Sequence, residues 1–133
     1  MIAGTHTIIF CEDAEKARAF FRDVLALPNV DSGGGWLIFR SPPAEIAMHA
    51  GGTGHELFFM CHDIEKTIGD LKGKGVEFAG SIEEQSWGRV TRFKVPGAGE
   101  LGLYQPKHAS PLAEFKKPRS RGPAKVKASS GRR

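Results

Sequence analysis

The 133-residue sequence has no apolar run longer than a strand needs, only two cysteines, no glycine loop carrying a lysine and no nucleophile elbow. Each absence closes off a class of function. Crossing a bilayer takes about 20 consecutive apolar residues, and the longest runs here are strand-sized, such as Leu57 to Cys61. The amino terminus has no charged segment followed by an apolar signal core, so a cytoplasmic location is the expectation. Cys11 and Cys61 lie at strand ends, with no obviously electropositive neighbours, and are read as reduced packing residues rather than a disulfide or a nucleophile. "SGGGW" (Ser32–Trp36) lacks the lysine of a phosphate loop and runs into a strand.

Negative charge is scarce in only one region. Residues 1–106 carry ten Lys and Arg against fourteen Asp and Glu, a net of −4, whereas 107–133 carry nine against one, a net of +8. The basic character therefore belongs to the tail. Few large apolar side chains occur there, so ordering it gains little burial, and disorder is expected except for a turn around Leu112 to Phe115. Its lysines and arginines can release counterions from phosphates. No base-stacking aromatics or groove-reading element accompany them, and specific nucleic-acid binding is not expected.

What the chain does contain is a sequence repeat. "CEDAEK" at Cys11 returns as "CHDIEK" at Cys61, and each is preceded by an apolar run, Ile8-Ile9-Phe10 and Phe58-Phe59-Met60. Further on, "FRSPPAEIAMHA" (39–50) is answered by "FKVPGAGELGLYQ" (93–105). Two copies suit a duplicated domain, since stacked solenoid repeats need about three or more units.

Alternation in "THTIIFC" predicts a strand, and Asp13 then caps a helix whose stripe is Ala14, Ala17, Phe20, Phe21, Val24 and Leu25. Pro28 ends it, and "WLIFR" and "AEIAMHA" read as strands joined by Ser41-Pro42-Pro43, with a weaker strand near Val30. In the second unit "HELFFMC" is a strand, Asp63 caps a helix carrying Ile64, Ile68 and Leu71, and Gly75 ends it. "VEFAG", "RVTRFKV" and "ELGLYQ" supply three more strands. The expected fold is α+β, two βαβββ modules in tandem: 3–50 and 54–106 of a domain spanning 1–106.

The pattern His-x6-Asp-x-Glu-Lys from His6, then "AFFRDVLAL", Gly75-Val76-Glu77-Phe78, Trp87-Gly88 and a last strand ending at Pro106 resembles the vicinal oxygen chelate superfamily. That superfamily includes glyoxalase I, bleomycin-resistance proteins and extradiol dioxygenases. The resemblance covers about residues 3–106. It implies curved mixed sheets enclosing a small-molecule pocket, helices on the convex faces, and a homodimer, since many relatives pair sheets across subunits and short units leave strand edges to cover. The expected helix-facing residues are Ile9, Cys11, Ile46, Met48, Leu57, Phe59, Cys61, Leu101 and Leu103. Alternation sends His6, Ile8, Phe10, Glu45, Ala47, His49, Glu56, Phe58, Met60, Glu100, Gly102 and Tyr104 to the pocket.

Metal-dependent members hold a divalent ion with one side chain from the first and last strand of each unit. His6 and Glu56, each seven residues before a capping Asp, occupy the first-strand positions; the last-strand positions hold Gly102 and Ala47. Glu45 and Glu100 lie two residues earlier on the same face, about 6.6 Å away. A metal set of His6, Glu56 and Glu100, with His49 as another donor, would suit Zn, Mn, Fe or Ni.

Two functions follow. In one, a divalent ion polarises vicinal oxygens while Glu56 or Glu100 moves a proton, giving a lyase, an isomerase or a dioxygenase. In the other, a metal-free protein of the bleomycin-resistance type binds a small apolar or aromatic ligand through Phe10, Glu45, His49, Phe58, Met60 and Tyr104. Plainer roles stand beside these: Glu45, Glu56 and Glu100 could pair with Arg40, Arg89, Arg92 or Lys94 on neighbouring strands, and Trp36 and Trp87 could be core or rim aromatics.

Overall fold

A computed structural model of the chain describes Met1 and residues 3–115. It is an α+β fold built on one four-stranded mixed sheet. Asp13 and Asp63, the two repeated aspartates, adopt nearly the same conformation (φ −133, ψ 93 and φ −138, ψ 100), and each carboxylate accepts the N–H three residues on at 3.1 Å. Satisfying that otherwise orphaned donor starts each helix. Helix α1 spans Ala14–Ala19 and continues as a π turn over Phe20–Val24; α2 spans Ile64–Gly73. Gly75 follows α2 at φ +88, and its N–H and that of Val76 close the helix on Lys72 and Leu71.

The sheet belongs to the second unit. Strands β3 (Phe58–Met60), β4 (Glu83–Gln85), β5 (Gly88–Val95) and β6 (Gly99–Pro106) lie in the order β3-β6-β5-β4, with β3 parallel to β6 and the other pairs antiparallel. Residues 77–79 also run along β5, through the Phe78–Phe93 bridge and bonds from Ala79 to Arg92 and from Lys94 to Glu77. Of the expected strands, "RVTRFKV" and "ELGLYQ" are β5 and β6, "VEFAG" meets β5 at the single Phe78 bridge rather than as a strand, and β4 was not expected; α2 lies between β3 and the rest.

Both helices pack on the same face of this sheet. Ala17 and Phe20 from α1 and its π turn join Ile64, Val76, Phe93, Val95, Leu101 and Leu103 in one buried cluster. The π turn brings consecutive phenylalanines to bear: Phe20 stacks on Phe93 at 6.3 Å, and Phe21 meets Phe59 at 6.0 Å and Phe39 at 5.6 Å. At the other end of the interface, the Asp13 N–H bonds the Gly97 carbonyl in the β5–β6 turn at 3.1 Å. Gly97 holds φ +80, and a Cβ there would overlap the Asp13 carbonyl, so glycine is required both for the turn and for the approach.

This docking explains where the first unit departs from expectation. It forms the hairpin β1 (Asn29–Asp31) with β2 (Leu37–Phe39), but residues 3–11 and 44–50 are not in strands and no backbone hydrogen bond joins them. Ile9 and Cys11 still pack against the core cluster, as alternation requires. Ile46 and Met48, expected beneath a helix, are exposed. Their helix lies on the other unit's sheet, and Pro42 and Pro43 remove two N–H donors just before the segment. Disorder was expected over 107–133 outside a turn at Leu112–Phe115: Lys107, His108 and Ser110 instead bond the domain, the turn is present as a 3-10 turn over Ala113–Phe115, and 116–133 lie outside the described residues. Among the described residues no helix is long and apolar enough to cross a membrane.

Phe93 is 1% exposed and touches the rings of Phe20, Phe59 and Phe78. Phe93→Ala is expected to cost about 3–5 kcal/mol in a denaturant titration, whereas a loss near zero would show that the two units do not share this core.

Candidate functional site

The face of the sheet opposite the helices carries Phe58 and Met60 from β3, Gly102 and Tyr104 from β6, and Arg92 from β5, as the alternation predicts. Phe58 and Tyr104 meet edge to face at 6.1 Å, and Trp87, at the start of the β5 hairpin, lies 5.4 Å from Tyr104. The Tyr104 hydroxyl donates to the Trp87 backbone carbonyl at 3.0 Å, fixing the Tyr104 ring. Arg92 sits over the Phe58 ring at 5.5 Å and bonds Glu56 at 3.3 Å. The result is an aromatic patch with one guanidinium at its edge, suited to a flat apolar ligand bearing an acidic group.

The other expected site residues fall in different places. Glu45 joins this face from the first unit: its carboxylate accepts from the Ser110 hydroxyl at 2.5 Å and lies 3.5 Å from the His108 ring nitrogen. His6, Phe10 and His49 are exposed, with the His49 ring nitrogen against the Ala50 carbonyl. Glu100 borders an open groove of about 600 Å3 near the β5–β6 turn, with Lys94 and Glu77. Two β6 pairs of residues separate it from Tyr104, about 13 Å along the strand. That groove is walled by core side chains such as Phe20 and Val76 and by the charged Lys74, Glu77, Lys94 and Glu100, of which Lys94 and Glu77 pair at 3.6 Å.

Among the described residues the expected metal set of His6, Glu56 and Glu100 does not converge. Among the described residues no group of three or more His, Cys, Asp or Glu side chains is placed to hold one. Glu56 is engaged by Arg92. At Gly102, where the resemblance implies a carboxylate, a Cβ would overlap the Phe58 ring, so the ligand's space is filled by an aromatic side chain. Burial pushes the Cys61 thiol above its ordinary range, consistent with a packing role. Arg92 and Trp87 were visible in the sequence only as an ion-pair partner and a rim aromatic. His108 and Ser110 were missed, because they lie in a stretch whose composition reads as tail.

The sheet order and the single-sided helix layer can be compared with solved structures. The chain matches TnmS3, an antibiotic binding protein from Streptomyces sp. CB03234, at TM-score 0.57 and 23% identity over 80% of this chain and 100% of that one. It matches a member of the glyoxalase/bleomycin resistance protein/dioxygenase superfamily from Sphaerobacter thermophilus at TM-score 0.57 and 24% identity over 78% and 98%. The fold is that of the vicinal oxygen chelate proteins. A third structure of this fold, a lactoylglutathione lyase from Agrobacterium tumefaciens, matches at TM-score 0.54 and 16% identity over 77% of this chain and 92% of that one. No protein-family model and no curated protein matches the chain. Because identities are this low, the comparisons carry the vicinal oxygen chelate architecture and leave the chemistry to the residues.

Tyr104 is the one tyrosine in the sequence, so its ionisation can be followed without substitution. Burial first, and then the nearby Glu45 carboxylate, push its phenol above the ordinary value. The folded state favours the neutral phenol, so this contribution to stability is complete below about pH 10 and is lost as pH rises through the folded value. Phenolate absorbance of the native protein is expected to rise at higher pH than that of the urea-unfolded chain, and Glu45→Gln should bring the midpoint down. Coincident native and unfolded titrations would place Tyr104 in water.

Proposed function

We propose that this is a metal-free small-molecule binding protein that holds a planar aromatic ligand against Phe58, Trp87 and Tyr104, with Arg92 pairing an acidic substituent. The observation that carries the reading is the use of the Gly102 position: a residue without a side chain lets Phe58 lie flat where a metal ligand would project. Glu56 does not block this. Its pair with Arg92 is 3.3 Å long and largely exposed, worth about 0–1 kcal/mol, so a ligand carboxylate can take its place. The antibiotic-binding description of one structural neighbour supports the class of function without naming a ligand.

The same proposal includes a homodimer. Phe10 is 87% exposed and Met48 89%, with Ile8 and Ile46 beside them in sequence also open, and large apolar side chains gathered in two unpaired segments are a surface that a second copy covers well. Sedimentation equilibrium is expected to give a dimer that Met48→Lys weakens; a monomer mass at every concentration would end this part of the reading.

Calorimetric titration with naphthoate, a planar aromatic carboxylate, tests the ligand site. Binding is expected, with Phe58→Ser costing about tenfold or more through lost stacking and Arg92→Ala acting only on the acidic form of the probe. Elemental analysis of the protein purified without chelator is the companion measurement. Stoichiometric Zn, Mn, Fe or Ni that His6→Ala removes would overturn the metal-free reading and return His6, Glu56 and Glu100 to the centre of the account.

A further inference from the structure

The segment beyond β6 does not leave the domain; it folds back over the aromatic face. The Lys107 N–H donates to the Trp87 carbonyl at 2.9 Å, and the Lys107 ammonium reaches Glu84 at 3.0 Å. Next along, the His108 ring lies 5.7 Å from the Tyr104 ring, and His108 and Ser110 together engage Glu45. The Leu112 N–H returns to the Ser110 hydroxyl at 3.1 Å, and Phe115 stacks on His62 at 4.5 Å, just before α2. Glu45 comes from the first unit, so the segment spans from one unit to the other. Beneath it Tyr104 is only 8% exposed, and the Glu45 side chain only 19%.

We propose that residues 107–115 are a strap closed over the ligand-binding face, latched by Ser110 and His108 on Glu45, and that a ligand reaches Tyr104 when the strap lifts. The inference rests on the ligand-binding reading of that face and adds its regulation. Three features make the strap able to open while the sheet stays folded. It contributes no strand, its only regular structure is the 3-10 turn at Ala113–Phe115, and residues 107–109 are exposed. None of its side chains belongs to the buried cluster, so lifting it uncovers no core. Pro106 and Pro111 limit the chain at its hinge and its middle, which lets the segment move as a piece. The Glu45 carboxylate it releases is then free beside Tyr104, turning a latch acceptor into a polar group facing the ligand.

Amide hydrogen exchange on the full chain reads the strap without any ligand. The Leu112 N–H is expected to exchange about tenfold or more faster than the Cys61 N–H, which is bonded to the Tyr104 carbonyl in the sheet, because local opening precedes global unfolding. Equal exchange at the two sites would show that the strap opens only with the fold, and would overturn the proposal. The gating role is then tested by naphthoate titration followed at the Gly102 amide by NMR, comparing wild type with the double variant Ser110→Ala, His108→Ala. If the closed strap holds most of the population, the variant should bind about threefold or more tighter, and saturating naphthoate should speed Leu112 exchange in the wild type. Equal affinities with unchanged Leu112 exchange would overturn the gate. A titration that shifts Gly102 in neither protein removes the ligand reading instead, and the exchange ratio still decides whether the strap opens on its own.

Discussion

Everything in this structure is arranged around the stacking of Phe20 on Phe93. The first ring comes from the helix of one repeat unit and the second from the central strand of the other. Their contact seats the first helix on the face that α2 covers through Ile64, Ile68 and Leu71. Once that face is closed, the alternation of β3, β5 and β6 leaves the other face to Phe58, Arg92, Gly102 and Tyr104. The aromatic residues of β3, β5 and β6 are thus divided between the two faces by strand parity. Phe59 and Phe93 lie in the core, and Phe58 and Tyr104 lie on the opposite face.

The same commitment leaves the first unit short of cover. Its helix is on the second unit's sheet, so the apolar positions at 46 and 48 have nothing above them, and segments 3–11 and 44–50 do not pair with each other. The same pattern occurs twice in the sequence, and one sheet seats both helices. The second copy therefore completes the βαβββ unit while the first supplies a helix, a hairpin and two unpaired edges. Covering such edges is the role given to the second molecule in the proposed dimer.

Much of this was legible in the residues. The matched Asp13 and Asp63 caps, the end of α2 at Gly75, strands β3, β5 and β6 and the inward set of Leu57, Phe59, Leu101 and Leu103 all follow from capping chemistry and period-two alternation, which are local rules, whereas β4 was not expected. What was not legible depends on partners distant in sequence. Nothing near Ile46 or Met48 tells that their helix packs elsewhere, and nothing near His108 and Ser110 tells that Glu45, more than sixty residues earlier, will hold them. Of the candidate site residues, Phe58, Met60 and Tyr104 were placed by parity. Whether His6, Glu56 and Glu100 would converge depended on tertiary geometry, and the structure sends Glu56 to Arg92 and Glu100 to the rim of a separate groove.

The central claim is that ligand chemistry belongs to the face away from the helices. Intermolecular nuclear Overhauser effects between a bound aromatic carboxylate and the protein test it most directly, because the two candidate surfaces present different protons. The account predicts contacts to the rings of Phe58, Trp87 and Tyr104. Contacts instead to Val24 and Val76, which border the open groove beside the helix ends, would contradict it.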